Sequence, residues 1–251
     1  MPARSPRKLP SDASGAHRRD PNARASGQSL ATHGVEAERR GAQQRSVGWP
    51  GRQHPVSGGE PVTTFVLVPG AWHGGWWYDP LIERLVGAGH RAVAVTAAGL
   101  DPAAPAIEQA INLDWHVEEV ATAVRAAEGS GRDVVLVGHS YGGSLINGAA
   151  DAVPERVRAL VYLDAFVPED GDSCWSMAID EERQWYVDGA GRTGIAVDPL
   201  TFLDERTRPH PLGSLMQRSK LTGAWHTVPV KHYVLALGWP GKSRWPLRSR
   251  R

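Results

Sequence analysis

Gly138-His139-Ser140-Tyr141-Gly142 places a hydroxyl between two glycines at two-residue spacing. A serine hydroxyl is a weak nucleophile that becomes reactive when it is held on a strained turn, beside a base and facing fixed N–H donors. A G-x-S-x-G run after a strand and before a helix supplies that turn, because the flanking glycines let strand and helix approach closely. Val134 to Val137 leads into the motif and Ser144-Leu145-Ile146 leads out of it, so strand, sharp turn and helix are expected in that order. Ser140 is thus the expected nucleophile, and attack on a carbonyl carbon is the chemistry it suits. A second component lies in Phe65 to Leu81, FVLVPGAWHGGWWYDPL. Its glycine-containing loop after an apolar run can turn a backbone N–H toward the serine, and with the N–H of Tyr141 this makes a two-donor oxyanion hole.

These residues need a frame, and the chain from Val62 onward alternates strand and helix signals. Strands are expected at Thr63 to Val68, Arg91 to Val95, Val134 to Val137, Ala159 to Leu163 and Lys231 to Leu237. Helices are expected at Trp77 to Val86, stopped by Gly87 and Gly89, and through LDWHVEEVATAVRAAE, where Leu113, Val117, Val120, Val124 and Ala127 share a face. A third runs from Tyr141 to Ala150. Uniformly apolar strands alternating with helices predict an α/β domain with a mostly parallel sheet and helices on both faces. Ligands then belong on the rim of strand C-terminal ends, where the loops 69–75, 97–105, 138–143 and 164–173 converge. From Glu169 to Thr222 the alternation stops, and Trp175, Trp185 and Tyr186 appear among charges and glycines, as in a lid over that rim.

The 251 residues suffice for one large α/β domain, and 41% hydrophobic content supplies its core. A net charge of +1 conceals an asymmetry. Residues 1–61 carry ten basic and five acidic side chains, and residues 238–251 carry five basic and none acidic, which leaves −9 for the middle. An acidic folded part repels phosphate, which argues against nucleic acid as a partner. Residues 1–61 have hardly a bulky aliphatic residue, so this basic extension is expected to be disordered, with ordered sequence, and even a true start, near Val62. No run of 18 apolar residues and no signal-like segment is present, so no membrane association and a cytoplasmic location are expected. The single cysteine, Cys174, excludes an internal disulfide and offers no zinc spacing, and it reads as a buried or half-buried thiol.

The loop, the GHSYGG elbow and LVYLDAFVPEDGDS, Leu160 to Ser173, together resemble the α/β-hydrolase superfamily. The resemblance is strongest to its small-lid branch of plant methylesterases, hydroxynitrile lyases and bacterial esterase-like proteins. It covers about residues 62–241, with the lid at about 169–222 and a basic tail at 242–251. It implies Ser140 as nucleophile and the backbone N–H groups of Ala71 and Tyr141 as oxyanion donors. Where the family more often has His-Gly, this chain has Pro69-Gly70, which alters how the loop is anchored. Trp72, His73 and Trp175 are the expected pocket residues.

The base is the difficulty. Family members carry a histidine in a Gly-His-Asp-like loop before the last helix, and this chain has none. After Ser140 come only His210, between Pro209 and Pro211, His226 beside Trp225, and His232 at the start of the last expected strand. Surface or packing roles are expected for all three. His139 should point to the other side of the turn, and His73 should orient backbone or substrate. The family's acid position, near Gly238-Trp239-Pro240, holds no carboxylate, so Asp164 at the end of an earlier strand is the alternative acid, against a reading as a turn cap. A chain that lacks the family's last strand and helix, by truncation or a changed frame near Gly241, accounts for both absences and for the basic tail.

The expected function is therefore a serine hydrolase of carboxylic esters, acting on a small apolar or aromatic ester with no metal or organic cofactor. Two alternatives stand beside it: an inactive derivative that only binds small ligands, and a hydroxynitrile lyase-like enzyme.

Overall fold

Thr64–Val68 (β1) is a β-branched run without a polar break, and such a segment pairs on both edges and buries both faces. In the computed structural model, which describes residues 62–127, 129 and 133–238, β1 lies between Arg91–Ala94 (β2) and Val134–His139 (β3). Val157–Leu163 (β4) and Val230–Val234 (β7) complete a sheet of order β2-β1-β3-β4-β7, and every pairing is parallel. Register aligns Val68 with Gly138, and His139 with Leu163 and through it Val234, so the C-terminal ends form one rim.

The period-2 alternation of the strands divides the core into two layers. Val66, Val68, Leu136, Leu160 and Tyr162 face one side, where Leu113–Ala126 (α2) and Gly142–Ala152 (α3) pack. Leu67, Val135, Val137 and Ala159 face the other, under Tyr78 and the Leu81, Ile82 and Leu85 stripe of Asp79–Gly87 (α1). Helices therefore cover both faces, as expected.

Several boundaries move for identifiable reasons. The expected helix from Trp77 is a 3-10 turn, Gly75–Tyr78, followed by α1 from Asp79. Pro80 sits in the first turn of α1, where its missing N–H costs nothing. On α2 the buried face is Leu113, His116, Val120, Ala121 and Val124; Val117 is only partly buried, and the fully buried His116 takes the place expected of it. β4 starts at Val157, two residues before the expected Ala159, with Arg158 projecting to solvent. β7 ends at Val234 instead of Leu237, and His232 pairs with Val161 in mid-strand on an exposed position.

The segment expected as an irregular lid is built of Cys174–Met177 (α4), Asp180–Ala190 (α5), an antiparallel ladder of Ala196–Val197 (β5) with His210–Pro211 (β6), and Leu212–Met216 (α6). Its local order comes from side-chain caps. Ser173 and Ser176 exchange hydrogen bonds around α4, and Arg183 of α5 reaches back to the carbonyl oxygens of Trp175 and Ser176. No described helix is long and apolar enough to cross a membrane. The expected extension 1–61 and tail 242–251 lie outside the described residues.

Candidate active site

β3 hands directly into α3 through Ser140, and the turn is tight enough to require both motif glycines. A Cβ on Gly138 would stand 2.6 Å from the carbonyl oxygen of Gly142, and one on Gly142 would stand 2.4 Å from that of Val68. Ser140 itself is forced to φ 50°, a region that costs a non-glycine residue of order 1 kcal/mol or more. Its N–H donates to Leu163 at 3.3 Å, and its carbonyl accepts from Gly143 and Phe166, both at 3.0 Å. Only two other non-glycine residues among those described have positive φ, Trp72 at 67° and Asp164 at 45°. All three follow the C-terminal ends of neighbouring strands, so the backbone strain is concentrated on one rim.

Two N–H groups at this rim, those of Ala71 and Tyr141, carry no hydrogen bond among the described residues. Tyr141 is the N-cap of α3, so its N–H adds to the positive end of the helix dipole. Such donors can hold an oxyanion.

The histidines divide by which ring nitrogen is engaged. His116 is fully buried, with Nε2 3.0 Å from the carbonyl oxygen of Ala98 and Nδ1 2.8 Å from the Tyr141 hydroxyl. A carbonyl only accepts, so Nε2 carries the proton and Nδ1 accepts from Tyr141. Burial pushes His116 down to about 4. His210, also fully buried, accepts the Trp72 N–H on Nδ1 at 3.2 Å and donates from Nε2 to Ser214 Oγ at 3.0 Å; Ser214 in turn donates to Pro211. Burial, with His116 and His73 nearby, holds it well below the usual histidine range. Each of these rings has its lone pair engaged, so neither can accept a proton without breaking a bond. His73 is different. Its Nδ1 donates to the carbonyl of Ala71 at 2.7 Å, which leaves the lone pair on Nε2. His139 stacks on Trp77 at 4.6 Å with Nδ1 buried and without a partner among the described residues, and burial again lowers it to about 4. His226 bonds Glu169 at the surface. Among the described residues no histidine nitrogen bonds the Ser140 hydroxyl.

Asp164 follows β4 on the same rim, its N–H donating to Val234 at 2.7 Å and its Oδ1 buried without a partner among the described residues. Burial raises its pKa, against a hydrogen bond from Ala236. Glu182 of α5 is nearly buried, and desolvation, with Asp164 and Glu181 close by, raises it to about 7.

The expected pocket residues are placed as follows. Trp72 is 8% exposed, and its indole N–H donates to Val197 of the lid ladder at 2.9 Å. His73 is equally buried, against Trp76 and Trp77. Trp175 is half-buried beside Tyr186 and under the Arg183 guanidinium. Cys174 is buried against Ser144, its thiol pushed up to about 12, which makes it unreactive. No described cluster of His, Cys, Asp or Glu could hold a metal.

Sequence reasoning missed His116 and Ser214 and gave His210 no connection to the rim. A readable signal existed: His116 interrupts an otherwise apolar helix face, and His210 and Ser214 stand one helical turn apart.

A model of the "Alpha/beta hydrolase family" matches residues 65–250 of this chain. Among curated proteins, a carbendazim hydrolyzing esterase of a Nocardioides species is 35% identical over 71% of this chain and 81% of its own length. An alpha-hydroxynitrile lyase of Arabidopsis thaliana is 33% identical over 68% of this chain, which spans 64% of that protein. Among solved structures, an extracellular alpha/beta-hydrolase from a Paenibacillus species superposes with a TM-score of 0.57 at 22% identity, over 68% of this chain and 77% of its own, a likeness of fold alone.

Proposed function

This chain belongs to the alpha/beta hydrolase family, and on that premise we propose that it is a serine hydrolase of carboxylic esters. The observation that carries the reading is Ser140, held at φ 50° on the same rim as the N–H groups of Ala71 and Tyr141, which have no partner among the described residues. In this mechanism Ser140 Oγ bonds to the ester carbonyl carbon while its proton passes to a base. The carbonyl oxygen becomes an oxyanion between the N–H groups of Ala71 and Tyr141. Collapse breaks the C–O bond, the protonated alcohol leaves, and water then releases the acid from the acyl-serine. Asp164 is the acid of the reading, because its buried, unpartnered oxygen is the acceptor that a catalytic imidazolium needs. Among the four histidines around the elbow, His116 and His210 have their lone pairs engaged, which leaves His73, with its lone pair on Nε2, and His139 as the rings that can take the proton. The lid aromatics Trp175 and Tyr186 favour a small apolar or aromatic substrate.

Intact-mass analysis after treatment with a fluorophosphonate tests this reading, since the probe requires an activated serine. One adduct is expected on the native chain and none on Ser140→Ala. Absence of an adduct on folded native protein overturns the esterase reading and leaves a protein that binds ligands without turnover. The identity to a hydroxynitrile lyase supplies a second reading, cyanohydrin cleavage. Cyanide release from an aromatic cyanohydrin, without ester hydrolysis, would favour it.

A further inference from the structure

The peptide group joining Ala71 to Trp72 is held at both ends by histidine side chains from different parts of the fold. Its carbonyl accepts from His73 Nδ1 at 2.7 Å, and its N–H donates to His210 Nδ1 at 3.2 Å. This peptide immediately follows the Ala71 N–H and leads into Trp72, whose φ of 67° is unfavourable for any residue with a Cβ. Unsupported, a peptide beside such a residue would relax, and the N–H before it would turn away. The lid segment also reaches the next peptide: the Arg208 N–H donates to the carbonyl of Trp72 at 2.9 Å. His210 further packs edge-on against Tyr141, ring centroids 4.6 Å apart, while the Tyr141 hydroxyl is fixed by His116. One lid histidine therefore touches Tyr141 and holds the N–H of the peptide that joins Ala71 to Trp72.

We propose that His210 and His73 are positioning residues that clamp the Ala71–Trp72 peptide and thereby aim the Ala71 N–H at the developing oxyanion. The inference rests on the esterase reading for its catalytic consequence, but the clamp itself is a property of the fold. It explains why a lid histidine is buried without being able to act as a base: its role requires Nδ1 as an acceptor and Nε2–H as a donor to Ser214. It also assigns a job to the bond between lid and loop, because displacement of β6 would release the peptide.

Asparagine can place an oxygen where His210 Nδ1 lies, whereas leucine cannot. The experiment therefore compares His210→Asn with His210→Leu in the full chain, reading ester turnover and amide exchange of Trp72 by NMR. For His210→Leu, kcat is expected to fall about tenfold to a hundredfold with KM within about twofold, since the lost aim is felt mainly in the transition state. Trp72 amide exchange should accelerate at least about tenfold, and His210→Asn should recover most of both effects. Equal values for leucine and asparagine, or native exchange and kcat in His210→Leu, overturn the clamp. If the native chain hydrolyses no ester, the esterase reading fails, and the exchange rates alone decide the clamp. If His210→Leu does not fold, His73→Leu against His73→Asn asks the question from the carbonyl side by Trp72 amide exchange alone, since asparagine can still donate to Ala71 but cannot take up a proton; equal exchange in the two overturns the clamp.

Discussion

Glu182 shows how burial sets a single residue's behaviour. Its carboxyl is raised from 4.5 to about 7, first by desolvation and then by Asp164 and Glu181, while the Ile179 N–H works in the opposite direction. A carboxyl whose folded pKa lies above its unfolded value binds its proton more tightly in the fold, so stability is lost as pH rises from about 4.5 through about 7. Glu182→Gln removes that loss and keeps an acceptor for Ile179. At pH 8 it should stabilise the protein by about 1–2 kcal/mol after allowance for partial solvent access, and at pH 4 it should be nearly neutral. Urea unfolding at both pH values checks this, and equal effects at the two would contradict it. Ser140 makes a second prediction at this scale. Its φ of 50° favours glycine, so Ser140→Gly should be more stable than Ser140→Ala by about 1 kcal/mol, as measured by the same unfolding experiment.

At the scale of elements, the strand–turn–helix unit of β3 and α3 depends on approach distance. A methyl group on Gly142 meets the backbone oxygen of Val68 at 2.4 Å, and backbone on both sides cannot yield as a side-chain tip would. Gly142→Ala should therefore cost about 3 kcal/mol or more and reduce any Ser140 labelling in proportion, because relief comes only by moving α3 away from β1. Thermal unfolding with fluorophosphonate labelling on the same sample reads both. The existence and order of β1, β2, β3, α3 and β4 were legible from apolar runs and glycine stops. The ends of elements were not, because they depend on single residues: Pro80 in the first turn of α1, and Arg158, which a strand accepts when its side chain points to solvent.

For the whole molecule, the buried histidines give stability a direction in pH. His116 and His139 are lowered to about 4 and His210 further, each chiefly by desolvation. A histidine with a depressed folded pKa contributes stability that is complete above about 6.5 and is lost as pH falls through the folded value. Glu182, Asp164 and Glu119 slope the other way, but of these only Glu182 is raised as far as about 7, and the three histidines outweigh them. The melting temperature should therefore fall between pH 7 and pH 4.5, more steeply in Glu182→Gln than in the native chain. A flat or rising profile in scanning calorimetry would refute this balance. His139 also loses less than its bonded neighbours would on charging, since its Nδ1 has no partner among the described residues to give up.

Apolar periodicity and glycine spacing are local properties of the chain, so the parallel α/β frame, the G-x-S-x-G turn and the place of Ser140 on the strand rim are written in the order of the residues. What the remaining histidines do follows from contacts between distant parts of the fold. His116, His210 and Tyr141 lie 25 to 94 residues apart in sequence, and burial against one another fixes their tautomers and holds the histidines neutral. Which nitrogen keeps a lone pair depends on which carbonyl or N–H the fold brings within 3 Å or so, and no local pattern encodes that distance.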